Sequence, residues 1–224
     1  QTCALPIYPT DPDIVFGGKL TRYDRRTAQT HDVLPPAGDG ARTIRTAPVL
    51  FGAADPRTLF FGTNWVWTST TSGHSWTPIS GDLSRATWDA PASVGTYRGS
   101  DAAKATRRGV VYTIAPSPID AKTIWAGTDD GLIHVTRDSG KTWTDVTPPA
   151  VGPWAKVSIM DASHFDAGSA YAAVNTLRLD DVRPFIFRTR NAGRTWERIT
   201  NGIPDGTTIN VVREDPLQIG RAHV

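Results

Sequence analysis

The 224 residues contain one cysteine and only two glutamates, and each scarcity closes off a class of chemistry. A single Cys3 leaves no disulfide framework, and with no closely spaced histidines there is no zinc motif. His134 lies within an expected strand and His164 in a loop, so no metal site is expected. No apolar run approaches the roughly 18 residues of a membrane span. The net charge of +2 is small and dispersed, without the aromatic-studded basic patch of a nucleic-acid binder. Nucleophile elbow, phosphate-binding glycine loop and zinc signature are all missing, and no cofactor is expected. What abounds is 20 Gly, 17 Pro and eight Trp, the composition of turns and β-structure in a globular chain.

The two ends read as foreign to the fold. Residues 1–7 can be encoded by an oligonucleotide that resembles a common short-read sequencing adapter, and residues 219–224 by its reverse complement. Both are set aside, Cys3 and His223 with them, and 8–218 is treated as an internal part of a longer protein.

One eight-residue pattern occurs three times, at 69–76, 136–143 and 189–196. Each copy has a hydroxyl residue first, a short polar residue third (Thr71, Asp138, Asn191), glycine fifth (Gly73, Gly140, Gly193), a hydroxyl residue seventh and tryptophan eighth (Trp76, Trp143, Trp196). A longer period encloses it. From Asp11, Asp55, Asp120 and Asp166, an aromatic follows five residues on (Phe16, Phe60, Trp125, Tyr171) and a small residue seven on, and Asp215 opens another repeat. The starts lie 44, 65, 46 and 49 residues apart, a spacing that points to a propeller or solenoid.

Apolar runs and turn signals cut each repeat into four short strands, for example near 110–115, 123–128, 132–137 and 142–146. Four antiparallel strands in some 45 residues make the blade of a β-propeller, so the fold class is all-β, a partial propeller. The eight-residue pattern then falls on the hairpin between third and fourth strands. Its glycine supplies the positive φ of a tight turn, Asp138 and Asn191 accept turn N–H groups with Thr71 a weaker acceptor, and the tryptophans bury between sheets. Residues 23–30 of the first repeat hold neither Gly nor Trp, which places that hairpin in doubt. About three complete blades are expected, with the remains of one before and a first strand of another at 208–213.

The pattern resembles the Asp-box, or bacterial neuraminidase repeat. With the run 125–133 leading into Trp143, the chain resembles the sortilin-like propellers of large bacterial proteins often labelled glycosyl hydrolases. The resemblance covers nearly all of 8–218. It implies structural Asp-boxes, shared by sialidases, xyloglucan hydrolases, sorting receptors and photosystem assembly factors alike, and a secreted or cell-envelope setting.

Strand alternation sends the Asp-box hairpins to one end of each blade and the loops joining second to third strands, and blade to blade, to the other. Irregular length collects at that second end, where binding on a rigid scaffold usually sits. The candidates there are Trp88, Asp89, Tyr97, Arg98 and Asp101 in the insertion 81–109, Asp129 and Asp130 in an Asp-Asp-Gly turn, Trp154 in 148–156, and Arg178, Asp180 and Asp181 in 176–184. Each also has a plain reading as loop packing, turn formation or solvated charge. A sialidase needs a nucleophilic Tyr with a Glu partner, yet Glu197 sits beside an Asp-box Trp and Glu214 before a repeat start, which disfavours that chemistry. An inverting glycosidase needs two carboxyls about 6.5–9.5 Å apart, which the aspartates supply only if loops converge. The expectation is a noncatalytic recognition module for a peptide, protein or polysaccharide. The alternative is a glycoside hydrolase of the xyloglucan-cleaving type.

Overall fold

The computed structural model describes residues 6–17, 20–87, 90–101, 107–218 and 222–223. The first sheet holds β1 (Ile14–Gly17), β2 (Thr21–Asp24) and β3 (Gln29–Asp32). Three four-stranded sheets follow. The second blade has β4 (Val49–Phe51), β5 (Leu59–Gly62), β6 (Val66–Ser69) and β7 (Thr77–Pro78). The third has β8 (Val111–Pro116), β9 (Ile124–Thr128), β10 (Ile133–Thr136) and β11 (Thr144–Asp145). The fourth has β12 (Lys156–Ala162), β13 (Ala170–Thr176), β14 (Asp181–Thr189) and β15 (Glu197–Arg198). In all three, each strand pairs with its neighbours in sequence order, and every pairing is antiparallel. The chain is thus all-β, a partial propeller of four-stranded antiparallel blades.

The structure differs from the sequence expectation at both ends of the chain. The first-blade hairpin does form: β2 pairs with β3, Ala28 takes φ 56, and Asp24 Oδ1 accepts the Arg26 N–H at 3.0 Å. An alanine in the left-handed region with an aspartate clasping the turn does what glycine was expected to do. Its inner edge is met by Ile7, which bridges Val15, with Tyr8 N–H bonded to Ile14 O at 2.9 Å. At the other end, 208–213 forms ladder bonds only at β16 (Arg213–Glu214), which pairs with β17 (Ala222–His223). Residues 208–212 instead hold the fourth blade by side chains, with Ile209 and Val212 buried and Asn210 Oδ1 accepting Asn175 Nδ2 at 2.8 Å.

The core lies in layers between sheets. First and second blades enclose Ile14, Phe16, Leu59, Phe61 and Trp67; second and third enclose Phe60, Val66, Ile114, Ile124 and Ala126; third and fourth enclose Trp125, Ile133, Val135, Val157 and Phe187. The recurring aromatic five residues after each repeat start therefore packs in the layers between blades. Trp125 is fully buried, a transfer free energy of roughly 4–6 kcal/mol for a ring of that size.

The three eight-residue hairpins repeat the same hydrogen bonds. The first-place hydroxyl (Ser69, Thr136, Thr189) accepts the glycine N–H at 2.9, 2.9 and 3.0 Å. The third-place side chain (Thr71, Asp138, Asn191) accepts the seventh-place N–H at 2.9 Å in every copy. The hydrogen bond also draws the Asp138 carboxyl down to about 2, chiefly through the Thr142 N–H. Both fourth and fifth residues are left-handed, with Ser72, Ser139 and Ala192 at φ 55, 61 and 57. The tryptophan then crosses to the previous blade: the indole N–H of Trp76, Trp143 and Trp196 donates to Val33 O, Ile79 O and Val146 O at 2.6, 2.7 and 2.6 Å. Gly140 rests on the same Ile79, where a β-carbon would stand 2.5 Å from the carbonyl oxygen and 2.7 Å from Cβ. Each of these hairpins is a joint between blades as well as a turn.

Candidate functional site

Because the strands alternate, the end opposite the boxes collects the β5–β6, β9–β10 and β13–β14 turns with the connections 81–109 and 147–155. Long-range polar contacts cross it. Arg42, from the connection between first and second blades, pairs with Asp82 at 2.7 Å and donates to Ser84 Oγ at 2.8 Å and Gly109 O at 3.2 Å. Asn64 at the tip of the second blade accepts the Arg42 N–H at 2.9 Å and donates to Asp82 Oδ2 at 3.0 Å. Burial works to raise the Asp82 carboxyl, but donors from Ser84, Arg42 and Asn64 prevail and hold it at about 2. Arg107 closes the loop on itself through Asp82 at 3.3 Å and Ser84 O at 3.1 Å.

The insertion is then fastened to the third blade. Arg85 donates its backbone N–H to Asp130 Oδ2 at 2.9 Å, its Nε to Asp130 O at 2.7 Å and its Nη2 to Gly131 O at 3.1 Å. Asp130 is buried, its other oxygen accepts Thr128 Oγ1 at 2.6 Å, and burial raises its pKa. Gly109 lies directly against this carboxylate, too close for any side chain. Asp129 faces two ways: Oδ1 accepts Val110 N–H at 2.9 Å, and Oδ2 meets Arg178 Nη2 at 3.1 Å. Arg178 also donates to Asp129 O at 2.8 Å, which lays the fourth-blade turn over the third.

The sequence candidates distribute as follows. Trp88 and Asp89 lie outside the described residues. Tyr97 and Arg98 are exposed on a 3-10 segment, Ala92–Gly99, with Asp101 just beyond. Asp129 and Arg178 come together, while Asp130 is taken up by Arg85 and Thr128. The 176–184 stretch is tighter than a long loop: a 3-10 turn at Leu177–Leu179, Asp180 at φ 56, and Thr176 paired with Asp181. Asp181 is held at about 2 by its ion pair with Arg183 at 2.7 Å. Trp154 is half-buried at φ 72, a left-handed backbone rare for a bulky residue and of the kind stored at functional sites.

Nothing in the sequence marks Arg42, Asp82, Arg85 and Arg107 as a group. Their partners lie 40 to 46 residues away or on irregular loops, and no local spacing marks them. A second constellation also lacks a local spacing. Tyr171 and Glu214, 43 residues apart, meet at 3.1 Å, with Ser163 Oγ and His164 N–H on the other Glu214 oxygen at 2.8 and 2.6 Å. They border a crevice of about 230 Å³ with Arg188 and Arg190 at the end that carries the eight-residue hairpins. Burial, then the Glu214 charge, raises the Tyr171 pKa. These bonds tie the segment that opens the next repeat to the fourth blade.

No protein-family model matches the chain. No curated protein matches it either. Among solved structures it is similar to the GH74 xyloglucanase from Xanthomonas campestris, at 18% identity and a TM-score of 0.60 over 96% of this chain and 33% of that one. It is also similar to YCF48 from Cyanidioschyzon merolae, at 13% identity and a TM-score of 0.54 over 89% of this chain and 59% of that one. A third is the Dos1 propeller, at 10% identity and a TM-score of 0.55 over 91% and 49%. The chain therefore spans about a third of the xyloglucanase. At these identities the likeness establishes the propeller fold and nothing of activity.

Proposed function

We propose that residues 8–218 belong to an Asp-box propeller of the sortilin-like kind that recognises a peptide, protein or glycan across its loop-rich end. One observation carries this reading: the carboxylates there act as anchors. Asp82, Asp129, Asp130 and Asp181 each engage arginine side chains or backbone donors of the scaffold. Such ties fix loops in place, and the exposed Tyr97 and half-buried Trp154 on those loops are the aromatic residues proposed to meet a ligand.

The competing reading, a polysaccharide hydrolase of the xyloglucan-cleaving type, has one point in its favour. Burial raises the Asp130 pKa, the direction a general acid needs. Yet both its oxygens accept internal hydrogen bonds and Gly109 lies against it, which leaves no path for a scissile oxygen.

The test uses the full-length protein against a peptide array and a plant glucan panel. Tyr97→Ala and Trp154→Gly, the latter matched to φ 72, should each weaken capture at least about tenfold, or 1.4 kcal/mol, without lowering the unfolding midpoint. Unchanged capture in both variants refutes the assignment. Sugar release from xyloglucan that Asp129→Asn or Asp181→Asn abolishes establishes the hydrolase instead.

A further inference from the structure

The third blade carries a histidine where its neighbours carry large rings. Two residues before the Asp-box, the second blade has Trp67, the fourth Phe187 and the third His134. Strand register places His134 opposite Ala126, which in turn lies opposite Ile114. Those two belong to the layer shared with Phe60, Val66 and Leu83 of the second blade, against which Leu50, Ile79 and Trp143 pack. The imidazole therefore sits in the joint between second and third blades. Its residue is 9% exposed, and Nδ1 is buried without a hydrogen-bond partner. Trp67 meets the same demand by donating Nε1 to Thr63 Oγ1 at 3.0 Å, and Phe187 has no polar atom to satisfy.

A neutral imidazole tolerates an unpaired acceptor nitrogen in such a layer. An imidazolium does not, because both nitrogens then donate and a charge is buried among apolar groups. The charged group facing the ring is Asp145, its cross-strand partner on β11. Its Oδ1 is already taken by Thr147 N–H and Oγ1, at 2.9 and 2.6 Å. The layer residues from β4, β5, β6, β8 and β9 are uncharged.

We propose that His134 is a proton-operated latch between second and third blades: the neutral ring seals the joint, and proton uptake expels it and lets the two sheets part. Burial depresses its pKa below the ordinary 6.5, with Asp145 opposing. A depressed folded-state value leaves stability complete above the unfolded pKa and removes it as pH falls below about 6.5. The same two blades are tied at the loop-rich end by Arg85 on Asp130 and Gly131. Acid opening of the joint would therefore loosen the seat of the 81–109 insertion, whatever that end binds.

Hydrogen exchange of the three indole N–H groups tests this joint by joint in the full chain. Below pH 6.5, after correction for intrinsic rates, protection of Trp143 Nε1 should fall about tenfold per pH unit until the folded pKa is reached. Trp76 and Trp196, at the flanking joints, should not follow. His134→Phe, which borrows the fourth-blade residue, should abolish the response. Asp130 titrates in the opposite sense and is intact in both proteins, so the comparison isolates the ring. An equal acid response at all three indoles, or one that persists in His134→Phe, overturns the proposal. Should that variant fail to fold, a wild-type NMR titration giving His134 a pKa of 6.5 or above overturns it as well.

Discussion

Replacing Gly140 by alanine separates two reasons for glycine in the box. The first is conformational: at φ 90 a residue with a β-carbon costs about 1–2 kcal/mol. That alone does not explain glycine, because Ser139 sits one residue earlier at φ 61. The second is space, since the new β-carbon would meet the Ile79 carbonyl at 2.5 Å and backbone must move. Overpacking of this kind costs about 1–3 kcal/mol. Gly206 supplies the control, with φ 90 and nothing within 4 Å of its virtual β-carbon. Gly206→Ala should therefore show the first cost alone and Gly140→Ala both. With the spatial part near 2 kcal/mol and about 3 °C per kcal/mol for a chain of this size, Gly140→Ala should melt about 6 °C below Gly206→Ala. Thermal unfolding followed by far-UV circular dichroism reads both. Equal midpoints would refute the claim that the box glycine is set by contact with the preceding blade.

Asp138→Asn should leave the midpoint at pH 7 unchanged, since Asn191 makes the same 2.9 Å bond. Because the Asp138 pKa is lowered from 3.8 to about 2, its contribution is present above pH 4 and lost toward pH 2, so the variant should unfold less steeply with acid over that window; an acid profile identical to wild type counts against this. Arg85→Ala removes the side-chain bonds to Asp130 O and Gly131 O. At about 1.5 kcal/mol for a half-exposed charged donor, chymotrypsin should nick the chain at Tyr97 roughly tenfold faster while the global midpoint holds, and a resistant insertion would show that other contacts seat it.

Much of the scaffold is legible in the sequence because its chemistry is local. The clasps from Thr136 to Gly140 and from Asp138 to Thr142 close within four residues, so spacing alone betrays them. The repeated aromatic is equally visible, since Phe60 and Trp125 recur at one phase of each repeat. The other half of each joint is not. Ile79 and Val146 carry no mark in sequence, and only the crossing of Trp143 and Trp196 shows why an aliphatic residue follows the last strand. The loop-rich end is legible as a location and not as a mechanism. Asp129 and Asp130 suggest a pair of carboxylates, but Arg85 and Arg178, 45 and 49 residues distant, decide what those carboxylates do. Loops of unequal length break the period on which sequence comparison within the chain depends. Tyr171 and Glu214 escape for the same reason.

The tryptophan joint has an evolutionary corollary. The second and third repeats each carry the donor on their own hairpin and an acceptor carbonyl just past their last strand, so each brings a plug and a socket of the same design. Tandem duplication of one whole repeat adds one of each and leaves every existing coupling matched. An insertion between Trp143 and Val146 would shift the socket away from its plug, whereas extra residues in 81–109 disturb neither. Such a chain can grow by copying complete modules or by lengthening the opposite end, and the two kinds of change do not interfere.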